Sequence, residues 1–73
     1  MEKRIYEMLK TQAEAEKAKA LLTLDLLGKH PAGIGDHSTA DFYKNANDAL
    51  MMLVDANDKL ETLSELDIFQ TKL

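Results

Sequence analysis

Cysteine is absent from this 73-residue chain, so no disulfide can brace it and no thiolate strengthens a metal site. Proline occurs once and glycine three times, and all four fall between Gly28 and Gly35. Helix breakers are missing elsewhere, which leaves two long helix-compatible segments on either side of one interruption. Long apolar runs are missing too. The longest, Ala49 to Val54, is far short of the roughly 20 residues that span a bilayer, so no membrane partner is expected. The N-terminal MEKRIYEMLK is charged and helical in pattern, which does not fit a signal peptide and points to a cytoplasmic protein. Clustered basic charge is also lacking. Residues 1–28 balance five basic against five acidic side chains, while 29–73 carry four basic and eight acidic, the whole of the net −4. Nucleic acid and anionic membrane both reward clustered Lys and Arg, so neither is expected as a partner.

The interruption, GKHPAGIGDHSTAD, has its own logic. Gly28 stands where a helix C-terminal cap would stand, and Pro31 three residues on cannot rejoin the helix. His30 precedes proline and is pushed toward an extended conformation. Gly33 and Gly35 give two permissive backbone positions around Ile34, an apolar side chain expected to tuck over the helix ends. Ser38-Thr39-Ala40-Asp41 matches a capping box: the Ser38 hydroxyl can satisfy a free helix amide, and Asp41 complements the positive helix end. The spacing therefore predicts a helix over about 2–27, a loop over 28–38, a helix over about 39–65 and an apolar C-terminal segment, 66–73.

Along the first helix, Ile5, Leu9, Ala13, Ala20, Leu24 and Leu27 form one apolar stripe, and Met8, Ala15, Ala18, Leu22 and Leu26 form a second beside it. Together they are wider than one partner helix covers. The second helix carries a heptad seam, Phe42, Ala46, Ala49, Leu53, Ala56, Leu60 and Leu63, which alternates by four and three without a break. Tyr43, Leu50, Met51, Met52 and Val54 widen its apolar surface, while Asn45, Asp48, Asp55 and Asp58 lie mostly opposite. Folding back at the loop is expected to set the bulky 49–54 cluster against Ala13, Ala15 and Ala18. The segment holding Leu66, Ile68, Phe69 and Leu73 continues the helical rhythm and is expected to extend past the start of the first helix.

Chemistry has few candidates. His30, Asp36, His37 and Asp41 sit within twelve residues and could converge on a divalent cation, though their spacing matches no standard ligand signature. The ordinary reading puts His30 near the negative end of the first helix and lets Asp36 and His37 order the approach to the second. Asp36-His37-Ser38 holds triad residue types, but sequence neighbours point in different directions and cannot form a relay. Gly33-x-Gly35 lacks the strand–turn context and Lys-Ser/Thr pair of a phosphate loop. Two long helices offer few concave sites, so neither enzymatic activity nor a cofactor is expected.

The block HPAGIGDHSTADFYKNANDALMMLVDANDKLETL, about half the chain, resembles short helical-hairpin proteins of T4-like marine phages and cyanophages. The likeness is carried by His30, Pro31, Gly33 to His37 and Ala56 to Leu60. It implies a phage origin and a helical hairpin, and it implies no activity. The sequence thus points to an all-α protein, an antiparallel two-helix hairpin assembling into a dimeric four-helix bundle. The expected role is a non-enzymatic interaction or adaptor protein. It would self-associate through Leu22, Leu26, Leu50, Met51, Val54, Leu66 and Phe69, and a phage-encoded protein would meet a host protein in the host cytoplasm. The alternatives are a metal- or ligand-binding module using loop 30–41, or a small virion component.

Overall fold

A computed structural model of the chain describes residues 1–29 and 39–72, with side-chain burial described for 1–29 and 40–67. Two helices make up the fold: α1 (Lys3–Lys29) and α2 (Thr39–Lys72), packed side by side. This is an all-α helical hairpin, about 55 × 15 × 14 Å. Its radius of gyration, 16.5 Å, is well above the roughly 11 Å of a compact chain of this length.

Helix α1 starts on a cap supplied by Glu2. The Ile5 N–H donates to Glu2 Oε2 at 3.1 Å, and the Tyr6 N–H donates to the Glu2 carbonyl at 2.9 Å. The Glu2 carboxylate thus satisfies one amide of the first turn that has no partner inside the helix, and its carbonyl accepts the first i→i−4 bond. In the apolar 20–27 stretch, the Thr23 hydroxyl donates back to the Lys19 carbonyl at 2.9 Å, so this polar side chain finds its partner within its own helix.

The helix does not stop at Gly28. It runs through Gly28 to Lys29, and Gly28 has no left-handed backbone and nothing within 4 Å of the place a Cβ would occupy. The reading of Gly28 as a C-terminal cap is corrected accordingly: the sequence placed the stop at the first glycine, but glycine is tolerated in the last turn of a helix held by packing. Pro31, Gly33, Ile34, Gly35 and Ser38 lie outside the described residues. Asp41 stands in the first turn of α2, where a carboxylate faces the positive helix end.

The core is the line where the two helices meet. Among the described residues the buried ones are Ala13, Ala20, Ala49, Ala56 and Leu63, four of them alanines. Every member of the predicted seam on α2 is buried or half-buried, and on α1 Leu9, Leu24 and Leu27 join Ala13 and Ala20. Seven-residue spacing of alanines on both helices makes a seam of small side chains on which two backbones can approach closely. Ile5, assigned to the α1 stripe, is half exposed, because steps of four residues drift around the helix and carry it to the stripe's edge. Ala15 and Ala18 are exposed, so they do not receive the 49–54 cluster. They lie around the far side of α1, and the alanines at the interface are Ala13 and Ala20.

Helix α2 is one continuous element to Lys72, longer than α1 by seven residues. Leu66 nevertheless lies within reach of α1: it lines a shallow depression with Met1, Leu9 and Leu63. The expectation that Leu66 lies past the first helix is corrected, since it shares that depression with Leu9 of α1. Burial at Phe69 and its neighbours lies outside the described residues.

Candidate interaction surface

The two helices bury their seams and leave ten large apolar side chains exposed among the described residues. Ile5, Met8, Leu21, Leu22, Leu26, Tyr43, Leu50, Met51, Val54 and Leu66 are all exposed. These include six of the seven residues that the sequence nominates for an interface, namely Leu22, Leu26, Leu50, Met51, Val54 and Leu66; the seventh, Phe69, lies outside the described side chains. Ile5 and Met8, assigned to the α1 stripes, and Leu21 and Tyr43 are outside that set. The signal of the last two was weak, because Leu21 sits in a run apolar nearly all round and Tyr43 adjoins the seam residue Phe42, with the two rings edge to face.

Helical geometry sorts the exposed residues into separate strips. Tyr43, Leu50 and Val54, spaced by seven and four, form a strip on α2 on one side of the seam. Lys59 lies on the other side, where its ammonium reaches Glu16 of α1 at 3.2 Å. This ion pair joins the helices at the surface, with Lys59 exposed and Glu16 partly so, and it contributes at most about 1 kcal/mol. Beside it is an open depression lined by Glu16, Asp48, Met51, Met52, Asp55 and Lys59. Its lining mixes methionine with charge and has no enclosed floor, which is poor ground for holding a small molecule. On α1, Met8, Ala15, Leu22 and Leu26 form a third strip, about 120–180° around the helix from Ala13 and Ala20 and thus facing away from α2.

Charge is arranged locally. Lys44 donates to Asp48 at 2.9 Å, one turn on in α2. That hydrogen bond and the attraction of Asp48 and Asp41 hold the Lys44 ammonium above the usual lysine range, with desolvation opposing slightly. Of the four metal-ligand candidates, His30, Asp36 and His37 lie outside the described residues. Asp41 is described and exposed at the start of α2. Among the described residues no group of three or more His, Asp or Glu could hold a metal ion. Nor is any helix among them long and apolar enough to cross a membrane.

No protein-family model, no curated protein and no solved structure matches this chain.

Proposed function

We propose that this hairpin acts by association rather than by catalysis: it is a small interaction protein whose first partner is another copy of itself. The observation that carries the reading is the imbalance between its core and its surface. Five residues are buried and four of them are alanine, while ten large apolar side chains are exposed among the described residues. Monomeric soluble proteins rarely leave so much apolar surface in contiguous strips. A two-helix unit of this size also needs more buried area than its own seam supplies.

A dimer of two hairpins, giving four packed helices, is the smallest assembly that answers both needs. Mass measured by sedimentation or light scattering at micromolar concentration tests it. A dimer or larger species is expected, and a folded 8.2 kDa monomer would overturn the reading. From the resemblance of the loop and α2 to phage-encoded hairpins, we propose in addition that the assembled protein works in the cytoplasm of an infected host and engages a host protein. That part is tested by tagged bait in host extract, with Leu50→Asp as the comparison. A bound protein retained equally by both baits would count against it.

A further inference from the structure

We infer that the occupant of the outward strip of α1 is the same strip of a second chain, running antiparallel with the two-fold axis at Ala15. This rests on self-association as proposed above and names the surface that carries it.

The area comes first. The chain exposes 5809 Å². A compact monomer of this mass exposes about 4,500 Å², so the hairpin carries about 1,300 Å² in excess. A stable protein interface takes roughly 800 Å² from each partner, so one additional helix-on-helix contact fits within the excess.

The second argument is the length and shape of the strip. Met8, Ala15 and Leu22 repeat every seven residues with Leu26 four further on, the spacing of a helix-packing seam. Met8 is 55% exposed, Leu22 59% and Leu26 48%, on the side of α1 turned from α2. The strip on α2 is shorter, since Asn57 and Glu61 follow Tyr43, Leu50 and Val54 on its line.

The pattern about Ala15 then selects the direction. Met8 and Leu22 stand seven residues either side of it, so an antiparallel pair sets Met8 on Leu22 of the second chain, twice, around two small alanines. Arg4 and Asp25 stand eleven and ten residues from Ala15 on the edge of the same strip. Both are exposed, and the antiparallel pair brings each Arg4 level with Asp25 of the other chain. A parallel pair would instead stack Arg4 on Arg4 and Lys19 on Lys19. Charge and shape thus agree on one arrangement.

Single-cysteine chains test it, because the natural chain has no cysteine to interfere. Under mild oxidation, a mixture of Met8→Cys and Leu22→Cys chains should cross-link to each other, and Ala15→Cys should cross-link to itself. Met8→Cys alone should not, and its self-cross-linking would overturn the antiparallel arrangement. Arg4→Asp and Asp25→Arg should each weaken the dimer by about tenfold, and the chain carrying both should recover it. Recovery cannot come from misfolding, since both positions are exposed in the hairpin. A dimer that persists without the cross-links and ignores both charge changes would overturn this interface and leave self-association standing. A monomer at every concentration would overturn both.

Discussion

At the scale of single residues, what matters is which helix positions meet the partner helix and which meet water. Leu63 is the one large side chain buried in the seam, whereas Leu53 is only half-buried. Leu63→Ala should therefore cost roughly 2–5 kcal/mol, the usual range for emptying a buried leucine site, and Leu53→Ala less. Lys59→Ala breaks an exposed ion pair and should cost no more than about 1 kcal/mol. Chemical denaturation of the three variants ranks them, and a cost at Lys59 equal to that at Leu63 would mean the wrong contact has been credited with joining the helices. Gly28 gives the opposite sign. It lies within α1 without a left-handed backbone, and a Cβ there meets nothing. Gly28→Ala should accordingly stabilise the protein by about 0.4–1 kcal/mol, through the lower entropy of the unfolded chain and better helix propensity. A loss of stability would return Gly28 to the role of a cap.

At the scale of the helices, the alanine seam sets how they pack. Ala20 and Ala49 are buried where the two backbones approach, and neither leaves room for a larger side chain. Ala49→Leu should push the helices apart and cost about 1–3 kcal/mol, although leucine is a good helix former. An unchanged melting temperature would show that the seam is looser than its burial implies. The end of α2 has a different task. Leu66 and Met1 line the same shallow depression as Leu9 and Leu63. Removing residues 66–73 should uncover that end and lower the melting temperature by about 5 °C, the equivalent of roughly 1 kcal/mol in a domain of this size.

At the scale of the whole molecule, a rod of 55 Å with a cross-section of about 15 Å has too much surface for its volume. Its stability should depend on a neighbour. The melting temperature should consequently rise by several degrees between about 1 and 100 µM protein, because assembly stabilises the folded chain by mass action. A melting temperature independent of concentration, in a protein that is fully folded when dilute, would mean the hairpin suffices alone.

How much of this was legible in the sequence follows from what periodicity encodes. The heptad on α2 could be read residue by residue, because a helix repeats every 3.6 residues and every seam position was apolar. The second α1 strip, Met8, Ala15, Ala18, Leu22 and Leu26, was legible as apolar for the same reason, but it was set beside the first stripe and in the fold lies on the opposite face of α1. Periodicity also places Leu50 and Lys59 on opposite flanks of the α2 seam. It also places Ala15 and Ala18 about 140–200° from Ala13, so setting the bulky 49–54 cluster against them misread the face of α1, which in the fold turns both away. What it cannot say is which α1 residues stand level with which on α2. That α1 runs through Gly28 to Lys29 was likewise a tertiary decision. Glycine weakens a helix by about 1 kcal/mol, and packing on α2 at Leu24 and Leu27 holds the last turn together against that cost. The sequence by itself determined two helices and the faces they bury. The register between them, and the pairing of Glu16 with Lys59 that follows from it, was decided only when alanine met alanine across the seam, because depth of approach is a property of two surfaces and not of either one.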